Sequence, residues 1–277
     1  VKHIWLVSNV QSGSTSEEKC DALRTVCHEK RLHFVGNSRF PDEPPPDAAM
    51  LHAAGADTVL LFAGDGTINA TLRALEQWYG DVLILPGGTM NLLAKMLHGD
   101  AGPADIIHRV HREARRTALP YLQAAHHRAY VASIIGPAAH WAKAREAVRE
   151  GSGAKIIRYG LRAWRRMFSE KVRIAGVPRL TGGYQAIFAS VGGDLISLAA
   201  VDARDWRQIA ELGWDWICGD WVAARAVTSQ STERFIVAGS RPVLALLDGE
   251  PRTLAPGTSF TLGRSAEIFL TTCEETE

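Results

Sequence analysis

The sequence predicts an α/β plus β chain: an α/β domain with a parallel sheet over residues 1–115, followed by an antiparallel β domain over residues 116–277. Three observations predict it. Unbroken apolar runs such as Thr58–Ala63 and Val82–Leu85 end in glycine-rich turns and give way to helical spacing. That alternation belongs to a parallel sheet buried on both faces. After about residue 115 the apolar runs are short, rich in Val, Ile and Phe, and separated by Gly and Pro, as in antiparallel β domains. A length of 277 residues, 46% of them hydrophobic, leaves room for two packed domains.

Taken in order, His3–Ser8 (HIWLVS) is apolar and β-prone and reads as a buried first strand. Asn9–Ser14 follows as a turn. Ser16 suits the N-cap of a helix over Ser16–Lys30. Arg31–Val35 reads as a second strand, Pro41–Pro46 as a loop and Asp47–Ala54 as a short helix. The strand Thr58–Ala63 is broken by Gly64-Asp65-Gly66-Thr67, and Ile68–Tyr79 has helical spacing. The strand Val82–Leu85 is broken by Pro86-Gly87-Gly88, with a helix over Met90–Leu97. Beyond the change of texture, Thr117–Ala125 and Arg128–Ile135 read as strands meeting at His126-His127. Tyr184–Val191, Glu233–Val237, Val243–Leu247 and Ser259–Leu262 read as further strands. Trp141–Phe168 reads as a helical insertion at about 140–170.

Composition narrows the function classes. A formal net charge of +1 with 22% charged residues is unlike a dedicated nucleic-acid binder, which is usually strongly basic. Cys20, Cys27, Cys218 and Cys273 form no CxxC pair and read as buried free thiols in a reducing compartment. No apolar stretch reaches the roughly 20 residues of a membrane span. The expectation is a cytoplasmic protein.

The strongest local signal is Ala63-Gly64-Asp65-Gly66-Thr67-Ile68-Asn69, where a parallel strand ends and a helix begins. Ligands bind in that crevice of open α/β sheets. Glycines admit a phosphate close to the backbone, and a helix N-terminus adds N–H groups and partial positive charge. A carboxylate in such a turn would repel phosphate unless a cation or a hydroxyl proton stands between them. Asp65 is therefore a candidate for Mg²⁺ coordination or for hydrogen bonding to a hydroxyl. Pro86-Gly87-Gly88-Thr89-Met90-Asn91 repeats the arrangement at the next strand, with Thr89 and Asn91 as candidate phosphate partners. Asn9–Ser14 ends the first strand in the same way. Three such loops would form a nucleotide cradle.

Other chemistries lack their residues. There is no GxxxxGK[ST] loop, no HExxH and no GxSxG, and GxGxxG fails at its third glycine, where Asn69 stands. The ten His show no third metal ligand beside His108/His111 or His126-His127. Downstream, Leu246-Leu247-Asp248-Gly249-Glu250 closes a strand and places two carboxylates on a tight bend, which an ordinary β-turn would also explain.

Together these pieces resemble the diacylglycerol kinase catalytic-domain family, most of all its bacterial lipid kinases and their sphingosine kinase relatives. The family pattern Asn-Pro-x-Ser-Gly, Gly-Gly-Asp-Gly-Thr, Gly-Thr-x-Asn and Asp-Gly-Glu is met by Asn9–Gly13, Ala63–Thr67, Gly88–Asn91 and Asp248–Glu250. Val10, Ala63 and Leu92 depart from it. The resemblance implies a Rossmann-like nucleotide-binding domain of the NAD kinase and diacylglycerol kinase type, followed by a β-sandwich. It implies ATP and Mg²⁺ as cofactors, with Asn9, Ser12, Gly13, Gly64, Asp65, Gly66, Thr67, Asn69, Gly88, Thr89 and Asn91 around the nucleotide. Glu250 would accept the proton, and Asp65 and Asp248 would help hold Mg²⁺ or the acceptor hydroxyl. The implied reaction is γ-phosphoryl transfer to a hydroxyl of diacylglycerol or a related lipid. No residue is assigned to a structural metal site. A kinase for a small soluble acceptor, and a non-catalytic nucleotide or lipid sensor motivated by Val10 and Leu92, are the alternatives.

A lipid substrate requires a membrane surface. His140–Arg179 holds eleven Lys and Arg against three Glu, and Ile156, Ile157, Leu161, Trp164 and Phe168 form an apolar stripe beside Arg158, Arg162, Arg165 and Arg166. A basic amphipathic helix with Trp can lie in an anionic interface, and a helix docked on the β domain has the same pattern. This segment is the candidate peripheral contact with the inner membrane face, and a second copy of the chain the other candidate partner. Trp206, Trp214, Trp216 and Trp221 would line an acyl pocket or fill the core.

Overall fold

A computed structural model describes residues 2–11, 15–140, 171–202 and 227–273. The expected helical insertion, the apolar stripe, the four downstream Trp and Cys218 lie outside these residues. The chain divides into two units, Val1–Pro120 with Arg264–Glu277, and Tyr121–Gly263.

The first unit is built on a six-stranded sheet. Its elements are β1 (His3–Ser8), α1 (Glu17–Glu29), β2 (His33–Arg39), α2 (Ala48–Ala54), β3 (Thr58–Ala63), α3 (Asp65–Ala74), β4 (Asp81–Pro86), α4 (Leu92–His98), α5 (Pro103–Glu113), β5 (Arg115–Thr117) and, from the far end of the chain, β17 (Ile268–Thr271). The strand order is β2-β1-β3-β4-β17-β5. All neighbours run parallel except β5, which pairs antiparallel with β17. Period-two alternation divides the strands between two faces. Ile4, Leu6, Leu60, Phe62, Leu83 and Leu85 pack with Leu23, Ile106, Ile107 and Val110 of α1 and α5. Val59, Leu61, Val82 and Ile84 are also fully buried, which explains why β3 and β4 are apolar throughout. Ser16 caps α1 by accepting the Lys19 N–H, and Asp47 caps α2 by accepting that of Met50. Cys20 and Cys27 are buried free thiols on α1, and burial pushes the Cys27 thiol up to about 11, far from a reactive thiolate.

Several boundaries differ from the sequence reading. The second strand begins at His33 because Arg31 (φ 57) and Leu32, whose N–H bonds Cys27 O, still close α1. The third helix spans Asp65–Ala74 instead of Ile68–Tyr79. Gly64 is its N-cap, so the glycine turn is itself the first helical turn. The largest correction concerns the C-terminal side. The chain returns to the first unit at Arg264, and β17 pairs with β4 and β5. The expected second domain of 116–277 is therefore too long, and the second unit is an insertion before the last strand of the first.

The second unit contains β6 (Pro120–Ala124), β7 (His127–Ala129), β8 (Ala132–Ile135), β9 (Arg173–Ala175), β10 (Ala186–Gly192), β11 (Leu195–Val201), β12 (Val227–Thr232), β13 (Arg234–Ala238), β14 (Val243–Leu247), β15 (Glu250–Leu254) and β16 (Ser259–Arg264). They form two sheets, β12-β11-β10-β8-β14-β15 and β7-β6-β16-β13-β9. The pairs β10–β11, β11–β12, β8–β10, β8–β14, β14–β15, β13–β16, β9–β13 and β6–β7 are antiparallel. Ile135, Ile187, Leu198 and Leu247 of the first sheet share one core with Leu122, Ile174, Phe235 and Phe260 of the second. The stretch read as one strand over Arg128–Ile135 breaks at Tyr130-Val131, and its halves enter different sheets. The hairpin before it turns at Ala125 (φ 52) and His126, and His127 already belongs to β7.

Candidate active site

Three of the predicted loops meet at one edge of the first sheet. Strands β1, β3 and β4 are adjacent and parallel, in a register that sets Ser8 beside Phe62 and Ala63 beside Pro86. Their C-terminal ends therefore deliver Asn9, Gly64 and Gly87 side by side.

Hydrogen bonds knit these loops together. Asn9 Nδ2 donates to Thr67 Oγ1 at 2.9 Å, and Asn9 Oδ1 accepts the Gln11 N–H at 2.9 Å, which holds the first loop in a turn. The buried Thr15 hydroxyl donates to Gly87 O at 2.8 Å. Asp65, the first residue of α3, spans to the next turn. Its Oδ1 accepts the Leu92 N–H at 2.9 Å and its Oδ2 that of Asn91 at 3.1 Å. It thereby caps α4, whose own N-cap Asn91 sits in the left-handed region (φ 52) and makes no side-chain cap bond. The Asn91 amide closes its own turn instead, accepting Gly88 N–H at 2.6 Å and donating to Gly88 O at 3.0 Å.

The glycines are required by close approach. A Cβ on Gly87 would lie 2.6 Å from Ala63 N, and one on Gly88 2.6 Å from Gly64 Cα. Both obstacles are backbone, which cannot swing aside. The N–H groups of Thr67 and Ile68 both bond the Gly64 carbonyl, at 3.0 and 3.1 Å, and the start of α3 brings the positive end of its dipole to this edge. Thr67 is buried, Asn69 half-buried on α3 and Thr89 exposed. Ser12 and Gly13 lie outside the described residues.

In the second unit Asp248 and Gly249, with φ 48 and 83, are the two central residues of a two-residue hairpin that pairs Leu247 with Glu250. Asp-Gly suits such a turn. The Asp248 side chain is 3% exposed. It accepts the N–H groups of Tyr130 at 2.6 Å and of Val131 and Ala132 at 2.9 Å. This carboxylate thus holds the break between β7 and β8. Glu250 follows as the half-buried first residue of β15.

Sequence reasoning missed Thr15 and the capping role of Asp65. A threonine just before a helix carries little signal by itself. The N–H donors that Asp65 accepts lie 26 and 27 residues downstream, beyond any local pattern. Among the described residues, no group of three or more His, Cys, Asp or Glu is placed to hold a metal ion.

The family model of the diacylglycerol kinase catalytic domain matches residues 3–121. The resemblance read from the loops is borne out over that span. The fold is similar to a diacylglycerol kinase structure from Bacillus anthracis str. Sterne, with a TM-score of 0.64, 11% identity and coverage of 98% of this chain and 97% of that one. It is also similar to a second structure from that organism, provisionally assigned as a diacylglycerol kinase, with a TM-score of 0.69, 14% identity and the same coverage. No curated protein matches the chain.

Proposed function

We propose that the chain is an ATP- and Mg²⁺-dependent lipid kinase that transfers the γ-phosphoryl group of ATP to a hydroxyl of diacylglycerol or a related lipid. The observation that carries this reading is the cradle in which Asp65 joins the Gly64–Thr67 and Gly88–Asn91 turns, within the span that matches the diacylglycerol kinase catalytic domain. Close backbone approach at Gly87 and Gly88 holds the two turns together, and we read the edge they form as the seat for phosphate oxygens. Asn9, Thr67 and Asn69 supply polar side chains around it.

Mg²⁺ bound through one carboxylate and the phosphates of its nucleotide needs no cage of protein ligands. A single carboxylate at the cradle fits a cation that arrives with ATP, and Asp65 is the residue that would meet it. When bound, the ion would neutralise charge on the β- and γ-phosphates. In the reaction a lipid hydroxyl oxygen forms a bond to the γ-phosphorus while the bond to the β–γ bridging oxygen breaks, leaving ADP. Glu250 is the proposed acceptor of the hydroxyl proton. Asp248, with both oxygens bonded to backbone N–H groups, is read as fixing the turn that carries Glu250.

We read the second unit as a β-sandwich. No helix of the described residues is long and apolar enough to cross a membrane. The basic segment 140–179 is the proposed contact with an anionic interface; its charge is known from sequence, and most of it lies outside the described residues.

The test is to incubate the protein with γ-labelled ATP, Mg²⁺ and vesicles of a total lipid extract, and to identify labelled products by mass. Label in a lipid phosphomonoester supports the reading. Label entering only a soluble acceptor, or ATP bound without turnover, overturns it in favour of a soluble-acceptor kinase or a nucleotide sensor.

A further inference from the structure

We infer that the C-terminal segment Ile268–Cys273 positions the Gly88–Leu92 turn for nucleotide, acting through helix α4, with Thr271 and Thr272 as positioning residues. The inference rests on the proposed nucleotide site and adds to it a control element from the opposite end of the sequence.

Helix α4 has seven residues, about 10 Å at the usual rise. A helix this short is not stable by itself, so its placement depends on its ends. Its N-terminus is held by Asp65, as described. Its C-terminus is held by the last strand. The Leu97 carbonyl accepts the Thr271 hydroxyl at 2.7 Å, the Thr272 N–H at 3.0 Å and the Cys273 N–H at 3.2 Å. The next residue, His98, is 2% exposed and meets Thr272 Oγ1 through Nδ1 at 3.0 Å. The Gly99 N–H, bonded to Lys95 O at 2.8 Å, closes the last turn.

The same segment also flanks the strand that leads into the turn. Ile268 and Phe269 of β17 pair with Asp81 and Val82 of β4. The segment therefore grips β4 before the turn and α4 after it, and the turn is suspended between two elements fixed by β17. Backbone amides of Asn91 and Leu92 report the far end of this linkage, because their N–H groups reach Asp65 only while α4 keeps its place.

The test compares wild type with the double variant T271V/T272V, which keeps side-chain shape but removes both hydroxyls. T271S/T272S serves as the conservative control. Hydrogen exchange read at individual amides should rise about ten-fold at Asn91 and Leu92 in the valine variant, while β1 and β3 amides keep their wild-type rates. KM for ATP should rise about five-fold with kcat little changed, the scale of coupling through a packed element, and the serine variant should restore both. Unchanged exchange at Asn91 and Leu92 would overturn the inference. So would a uniform rise across the first unit, which would mark the contacts as general stability alone. If the valine variant shows the local rise but wild type binds no ATP, the linkage stands and the kinase reading fails.

Discussion

The Asp65 carboxylate accepts the backbone N–H of Leu92 at 2.9 Å, bridging the start of one helix to the start of the next. The residue is therefore a cap as well as the candidate partner of Mg²⁺. Asp65→Ala should lose about 1 kcal/mol of stability, the usual cost of a lost cap, and reduce ATP binding more than ten-fold. Asp65→Asn, which keeps one acceptor, should recover most of the stability and little of the Mg²⁺-dependent binding. Thermal unfolding and calorimetric titration of Mg·ATP separate the two effects.

Gly88→Ala tests the close approach of the two turns. The added Cβ would lie 2.6 Å from Gly64 Cα, so the loops must part. The expectation is a folded protein whose affinity for ATP falls at least about ten-fold, roughly 1.4 kcal/mol. Gly55, where a Cβ meets nothing within 4 Å but φ is +68, provides a comparison. Gly55→Ala should cost about 1 kcal/mol through backbone strain and leave ATP affinity unchanged.

Asp248→Ala would strip acceptors from three successive N–H groups around a side chain that is 3% exposed. The cost should be about 3 kcal/mol or more, since each buried donor left unpaired carries its desolvation penalty. Asp248→Asn tolerates the positive φ and keeps one acceptor oxygen, so it should cost about half as much. Urea unfolding of the two variants checks the order.

Burial pushes the His98 imidazole down from about 6.5 to about 4, with Arg109 adding repulsion and the Ile84 backbone opposing the shift. The folded state therefore holds His98 neutral where the unfolded chain would protonate it. Stability from this source is complete above pH 6.5 and is lost as pH falls toward 4, by about 3 kcal/mol at most. His98→Asn should flatten that part of the stability profile, measured by denaturant unfolding between pH 7 and 4.

Features written in local pattern were legible in the sequence. Strands β1, β3 and β14 have the bounds expected of them, because each apolar run is cut off by turn residues. The three loops at one sheet edge followed from strands ending in glycine-rich turns. The start of α3 was not legible, because Gly64-Asp65-Gly66 reads as a turn when its helical hydrogen bonds are unseen. Strand β17 has four residues and partners in β4 and β5 far upstream, so nothing near it announces a return to the first sheet. The capping role of Asp65 and the anchoring role of Asp248, whose acceptor bonds span 116 to 118 residues, are likewise fixed by tertiary contacts. In both cases the residue type was visible and its bonding partner was not.

The most direct measurement is transfer of label from γ-labelled ATP to diacylglycerol in anionic vesicles with Mg²⁺, comparing wild type with Glu250→Gln. Wild type should yield labelled phosphatidic acid, and the variant should lose at least about 100-fold of that transfer, the scale of a removed general base, with ATP affinity retained. Full transfer by Glu250→Gln would contradict the assignment of the proton acceptor, and absence of lipid labelling by an ATP-binding wild type would contradict the kinase account itself.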